Sequence, residues 1–373
     1  MNLLKHHLSF GTVFFVNLVF AYKYAARISI EFGILFTVLY AIVLLVFYFL
    51  RERIFLKPVI CHTVLFSYLL ILFIGLFFID KHALNVDRWE MIEIFIDSIC
   101  QGKDPYSICS SSGNYPASSP FYFLFFAPFH FLGEIAVATL LILAGAYMYY
   151  FKLKTNHLLF LCIIISSIPI VWEVLTRSTI MVNSYLILFI LLHILNFTKF
   201  NRFNLLVSGI VAGLLLSTRT VFAFVFVIWG IYALRQKYAF GKLVMFGAIV
   251  LLSFVATFIP FVVLWSDTFF QINPFTIQSS LLYDFLLPVT IVISVIFGFL
   301  CKRSADVVFY AGVFLFAIPL LEFLVNIKQS GLAESFLNSD FDISYLLFCF
   351  PFFIHAMIVP EKRFLRKKHY RTV

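Results

Sequence analysis

Charge is scarce in this chain. Only 12% of its 373 residues are Asp, Glu, Lys or Arg, while 63% are apolar. A soluble domain carries about a quarter charged and about half apolar residues, so a water-soluble fold is excluded. The six cysteines form no CxxC pair and no Cys/His cluster at metal spacing. No metal and no cofactor is therefore expected, and the cysteines read mostly as buried apolar residues. Cys100 and Cys109 share one loop and can pair where that loop faces an oxidising compartment. No small-x-small cleavage site follows Lys5, His6, His7 and the first apolar run, which reads as a retained signal anchor. Internal repeats, low-complexity linkers and the alternating segments of an outer-membrane barrel are missing too.

What remains is a succession of helix-length apolar runs, rich in Phe (51 residues). They fall at 8–25, 29–50, 58–79, 118–151, 158–175, 180–197, 205–218, 220–234, 243–265, 281–300, 307–326 and 343–360. A spanning helix needs roughly 20 such residues, which predicts an all-α polytopic transmembrane bundle of about eleven to thirteen spans in a single integral membrane domain, 1–373. Two runs, 205–218 and 220–234, are short. They are expected to be half-buried or to form a hairpin with its tip at Ser217-Thr218-Arg219-Thr220. The run 118–151 is too long for one span and is interrupted by Pro120, Pro128, Gly133 and Glu134. One crossing plus a re-entrant or interfacial piece accounts for it.

The net charge of +9 calls for no nucleic acid, because basic residues in membrane proteins record topology. Most of the 27 Lys and Arg residues sit on alternate connections, at Arg51, Arg53, Lys57, Lys152, Lys154, Lys199, Arg202, Arg235, Lys237, Lys242, Lys302 and Arg303, and in the C-terminal tail. Both termini are thus expected to be cytoplasmic. The segment 80–117 is expected to face outward, as are 266–280 and 327–342.

The segment Asp80–Ala117 is the one long polar interruption, and connections of that length are usually functional. It holds Asp80, Asp87, Glu90, Glu93, Asp97 and Asp104. Within it, 87–99 has helical periodicity. Arg88, Trp89, Ile92, Phe95, Ile96 and Ile99 fall on one side, and Asp87, Glu90, Glu93 and Asp97 on the other. This predicts an amphipathic helix lying on the membrane surface, capped by Asn85, stopped at Gly102 and followed by a turn at Asp104-Pro105. Acids on such a back are usually a solvated face. Asp87 differs by position: at the helix start it can point into a cavity between loop and bundle, where a carboxylate accepts a proton from an attacking hydroxyl.

The stretch Asp87-Arg88-Trp89, Gly102-Lys103-Asp104-Pro105-Tyr106, Tyr115-Pro116, Pro120-Phe121 and Ala127-Pro128 resembles the first outward loop of the glycosyltransferase C superfamily, polyprenyl-phosphate-mannose-dependent mannosyltransferase type. Gly209, Gly213, Thr218-Arg219 and Phe222 resemble that family's Gly-x-x-x-Gly span with its terminal cation. Asn183 falls near its Gln-x-Asn position. The Tyr-Pro-Pro entry and the Gly-Gln element of the family are altered or absent here, and two spans precede the one leading into the loop. The resemblance implies inverting transfer of a sugar, a hexose such as mannose, from a polyprenyl-phosphate donor to a lipid or glycan acceptor hydroxyl. The transfer would take place on the outer face of a bacterial inner (plasma) membrane, with Asp87 as catalytic base and no Asp-x-Asp metal motif.

A lipid phosphate needs cations at the membrane surface, and Arg suits phosphate through its fork of donors. Arg177 and Arg219 occupy very short outward connections, against the topological bias. The alternative for Arg177 is pairing with lipid headgroups or with Glu173, one turn earlier. Arg88, His82, Lys103, Tyr106 and Asn183 complete the candidate substrate-binding set, with turn-shaping the plain alternative for Lys103 and Tyr106. Glu173, Asp284 and Glu322 lie in or near spans, where carboxylates are functional candidates. His62, His130, His193 and His355 read as packing residues. A transporter or lipid flippase, and a surface-glycan polymerase or ligase, are the competing classes. The first would show paired halves, and the second would carry its large loop later in the chain.

Overall fold

A computed structural model describes residues 3–50, 56–84, 86–275, 277, 285–338 and 341–359. All regular structure among them is helical: α1 (Leu3–Ala25), α2 (Ile30–Leu50), α3 (Pro58–Gly75), α4 (Arg88–Cys100), α5 (Pro120–Phe131), α6 (Ala136–Lys152), α7 (His157–Ser166), α8 (Ile168–Leu175), α9 (Ile180–Ile194), α10 (Arg202–Leu216), α11 (Ala223–Arg235), α12 (Phe240–Ala256), α13 (Ile259–Leu264), α14 (Ser266–Phe269), α15 (Leu286–Leu300), α16 (Ser304–Ser330) and α17 (Phe350–Ile358). Asn85, Asp284, Arg51, Arg53 and the basic tail lie outside the described residues.

The chain is an all-α, multi-pass membrane protein. Among the described residues, five helices are long and apolar enough to cross a bilayer, and up to seven spans result if each of two bent pairs counts as one; five further apolar helices are 10–17 residues long. Full-length spans are therefore fewer than the hydropathy runs predict, because breaks divide several runs. The 118–151 run is one such case. It splits into α5 and α6 around Gly133, whose φ of +86° a side chain would resist. The expectation of one crossing plus an interrupted piece corresponds to this bent pair.

The chain divides into two compact units. Unit 1 comprises 1–81, 139–181 and 315–373; unit 2 comprises 82–138 and 182–314. In unit 1, α1 packs on α2, α8 and α17, and α3 on α7 and α8. The outward faces of α2 expose Ile34, Leu35, Leu39, Ile42 and Phe49, as a lipid-facing helix should. α7 and α8 meet at 66°, where Pro169 enters the first turn of α8. The Tyr40 hydroxyl serves the backbone freed there. It lies 2.6 Å from the Ser166 carbonyl and 2.7 Å from Asn17 Oδ1, and accepts from Ile168 N at 3.2 Å. Broken backbone survives at membrane depth only with such partners.

In unit 2, α10 packs on α12, α11 on α15, and α4 on α5. The Gly-x-x-x-Gly pair explains the first contact. A Cβ at Gly209 would stand 2.7 Å from Ile249 Cγ2, and one at Gly213 2.4 Å from the Val250 carbonyl oxygen. Gly298 does the same for α15, with Ile231 Cβ at 2.5 Å. Small residues that let backbones approach are how membrane helices associate. α10 and α11 do join through a tip at 217–222, but each takes its main packing from a different helix.

Candidate functional site

The 80–117 loop is ordered by its own acids. α4 starts at Arg88 with Asp87 as its N-cap residue, at φ −104° and ψ 4°, and the carboxylate makes no capping bond. It turns to the loop instead: Oδ2 accepts from Ser110 Oγ at 2.9 Å and from Asn114 Nδ2 at 2.7 Å. One turn on, Glu90 accepts from Ser111 N at 2.9 Å and Ser111 Oγ at 2.7 Å. The 110–114 segment is a tight turn closed by Ser110 N to Asn114 O, 2.9 Å, with Gly113 at φ +78°. Asp87 Oδ1 accepts no bond among the described residues.

The acidic back of α4 is thus not merely solvated. Besides Asp87 and Glu90, Asp97 Oδ1 stands 2.9 Å from His130 Nε2, so His130 is not the isolated packing residue expected. The apolar face is as expected for Trp89, Ile92, Phe95 and Ile96, all buried. Protein covers it: Phe95 stacks on Phe123 at 3.9 Å and meets Tyr106 at 5.1 Å and Phe261 at 5.7 Å. Gly102, at φ +69°, ends the helix as foreseen, with Lys103 N bonding back to Ser98 O at 2.9 Å.

Asp104 caps the next turn, with Oδ1 accepting from Tyr106 N at 3.0 Å and Oδ2 from Thr268 Oγ1. Tyr106 is wholly buried and donates to the Ser118 carbonyl at 3.1 Å. Burial pushes its phenol well above the ordinary value. It packs inside the turn, in keeping with the turn-shaping alternative. Lys103 points outward to Gln101 Oε1, 2.8 Å. His82 is exposed, its ring edge-on to Trp89 at 4.8 Å. Arg88 is buried. Asn183 is 1% exposed, and its Oδ1 accepts no hydrogen bond. All six cysteines are free thiols, Cys100 and Cys109 included.

Arg219 stands between α10 and α11, in extended backbone (φ −150°, ψ 126°). Its guanidinium lies 5.3 Å over the Tyr122 ring. Its Nε is buried and bonds to nothing, and no carboxylate pairs with it among the described residues. Close by is an apolar groove of about 430 Å³, lined among others by Phe121, Leu124, Leu214, Thr257, Phe261 and Trp265. Phe121 adjoins Tyr122, and Thr257 bonds Ser217, two residues before Arg219, at 2.8 Å. A cation without an anionic partner among the described residues, in the same unit as this groove, suits an anionic amphiphile.

Arg177 belongs to unit 1 and is held differently. It is 5% exposed and adopts φ +55°. α8 ends there in the αL closure usually built on Gly: Ser178 N bonds Glu173 O at 2.9 Å and Arg177 N bonds Val174 O at 3.0 Å. The guanidinium caps carbonyls, with Nη2 at 3.1 Å from Leu76 O and 3.5 Å from Ile79 O, and Nη1 at 3.2 Å from Leu175 O. Glu173 accepts from Met181 N at 2.7 Å.

Ser110, Asn114 and Tyr122, the partners of Asp87 and Arg219, were not singled out from the sequence. The run Ser110-Ser111-Ser112-Gly113-Asn114 carries a turn signal, but nothing local says which acid it meets. No family model matches the chain, and neither a curated protein nor a solved structure does.

Proposed function

We propose that this protein is a membrane glycosyltransferase. It moves a sugar, a hexose such as mannose, from a polyprenyl phosphate to a hydroxyl of a lipid or glycan acceptor at the outer face of the membrane. The observation that carries the reading is Arg219: a guanidinium with no anionic partner among the described residues, half-buried over Tyr122, in a segment whose chain neighbour Leu214 and whose contact Thr257 line an apolar groove. Desolvating a guanidinium without a counter-charge costs several kcal/mol, and a lipid phosphate supplies both the charge and an apolar tail for the groove.

Asp87 is the general base. Ser110 and Asn114 hold Oδ2 and so fix the carboxylate plane, leaving Oδ1 to take the acceptor's proton. The acceptor oxygen then forms its bond to the anomeric carbon from the face opposite the phosphate. The bond between that carbon and the phosphate oxygen breaks, its electron pair leaves on the phosphate, and Arg219 stabilises the charge. The configuration inverts, and no second acid is required because the departing polyprenyl phosphate is already a competent leaving group.

Asp87→Asn keeps the shape and both loop contacts but removes the basicity. With purified protein and a labelled polyprenyl-phosphate hexose, transfer should fall about 10²–10⁴-fold while donor binding is retained. Wild-type turnover in Asp87→Asn would sink the assignment of this residue.

A further inference from the structure

Three connections of unit 2 converge on one end of its helices. The connection after α9 reaches the one after α11: Phe197 stacks on Tyr238 at 6.1 Å, and Lys242 Nζ donates to the Phe200 carbonyl at 3.0 Å. The connection after α11 in turn reaches the one after α15. Arg235 Nη1 donates to the Cys301 carbonyl at 3.2 Å, and Gln236 Nε2 to the Lys302 carbonyl at 3.5 Å. The far ends of α10 and α12 meet instead at Ser217 and Thr257. α10 has 15 residues, so its two ends lie ~22 Å apart, and Arg219 belongs to the other one.

The converging end is strongly basic. Lys199 and Arg202 come from the first connection, Arg235, Lys237 and Lys242 from the second, and Lys302 and Arg303 from the third. All are exposed. Asp306 is the one carboxylate in 195–202, 235–242 and 301–306. It is buried, and its Oδ2 accepts from Lys302 N and Arg303 N, both at 2.9 Å. Even full neutralisation by Asp306 leaves six of the seven positive charges. The topological bias favours basic connections but does not ask that they meet. Helix dipoles do not account for the cluster either. Arg202 and Lys242 stand in the first turns of α10 and α12, where positive charge is unfavourable. Lys237 holds φ +56°, at a helix-closing position that usually falls to Gly. Large apolar residues are exposed among these cations: Phe203 at 70%, Phe240 at 69% and Leu300 at 48%. A soluble polyanion would leave them in water, whereas the boundary between headgroups and acyl chains accommodates both.

We propose that this convergent basic end of unit 2 binds the headgroup of an anionic phospholipid, whose acyl chains lie against Phe203, Phe240 and Leu300. The site does not depend on the chemistry of Asp87 and Arg219. The test uses the full-length protein in neutral detergent. Short-chain phosphatidylglycerol is titrated, with short-chain phosphatidylcholine as the neutral control and oligoglutamate as a soluble polyanion. Repeating the comparison in an Arg219→Ala background separates any binding at the other site. Lys237→Gln/Lys302→Gln removes two charges from the proposed site. Lys152→Gln/Lys154→Gln removes two exposed charges from unit 1 and controls for net charge.

Phosphatidylglycerol should bind saturably, and at least about tenfold more weakly after Lys237→Gln/Lys302→Gln. The Lys237→Arg/Lys302→Arg protein should bind nearly as its parent does, and so should the unit 1 control. Thermal unfolding should be unchanged in all of them, because the substituted side chains are exposed. Equal loss in the two Gln pairs would reduce the effect to net charge and overturn the proposal. So would parental affinity in Lys237→Gln/Lys302→Gln, equal binding of phosphatidylcholine, or tighter binding of oligoglutamate than of phosphatidylglycerol, the last of which would assign the surface to an acidic macromolecule.

Discussion

Two arginines that look alike in sequence have opposite surroundings. Arg177 and Arg219 each occupy a short connection after an apolar helix, and each breaks the alternation of basic and poorer connections read from the sequence. In the structure, Arg177 is saturated. It spends its guanidinium on the carbonyls of Leu76, Ile79 and Leu175 and accepts a left-handed backbone to do so. Arg219 has relaxed, extended backbone, an aromatic face and, among the described residues, no anion. The bias argument shows that a cation has a reason to be there. It does not distinguish a fold-stabilising reason from a ligand-binding one, and only the partner atoms make that distinction.

The sharpest way to break the contrast is to remove the Arg219 side chain. Hydrogen bonds to charged groups contribute about 1.5–3 kcal/mol, so Arg219→Ala should lower kcat/KM for the lipid-phosphate donor about tenfold to a hundredfold. Arg219→Lys, which keeps charge without the fork, should lose less. Unchanged donor kinetics in a normally folded Arg219→Ala protein would remove the ligand-binding half of the comparison.

The same truncation at Arg177 should act on stability. Arg177→Ala loses the carbonyl bonds, roughly 1.5–3 kcal/mol, and keeps the left-handed strain. Arg177→Gly loses the same bonds but recovers about 1–2 kcal/mol of backbone cost. Thermal unfolding should rank wild type above Gly and Gly above Ala, with donor KM unchanged in both variants. A raised KM without loss of stability would make Arg177 a ligand residue after all.

The helices on either side of Arg219 offer a third test. Gly213→Ala drives a methyl against the Val250 carbonyl and should cost about 1–3 kcal/mol. Gly230→Ala, with no atom within 4 Å of its added Cβ, should be neutral or mildly stabilising. The smallest effect is expected at the exposed end of α4. Asp97→Asn loses the His130 contact, a surface pair of about 0–1 kcal/mol, and turnover should stay within about twofold if the catalytic carboxylate of this helix is Asp87.

Much of the architecture was legible in the sequence because the membrane imposes a length and a polarity on each segment. The amphipathic α4, its stop at Gly102, the turn at Asp104-Pro105 and the division of 118–151 all follow from periodicity, glycine and proline. The candidate site was legible only in part. Asp87 and Arg219 could be named, but Ser110 and Asn114, more than twenty residues from the carboxylate they hold, could not. Asn85 was the expected cap, yet the N-cap position of α4 falls to Asp87, whose carboxylate serves the loop. Tyr106 could be named from the turn it shapes, but not its ring contacts with Phe95, Phe261 and Phe269.

The sequence by itself determined that this is an all-helical, multi-pass membrane protein with one acidic loop and a few cations set against the topological bias. Those properties are sums over local composition and periodicity, and solvent partitioning acts on them residue by residue. The tertiary structure alone decided which polar atoms are satisfied. Arg177 finds three carbonyls, Asp87 finds a serine and an asparagine, and Arg219, among the described residues, finds an aromatic face and no carboxylate. Hydrogen bonds and ion pairs act over a few ångströms between segments far apart in the chain, so the need for a ligand becomes visible only after the fold has brought those segments together.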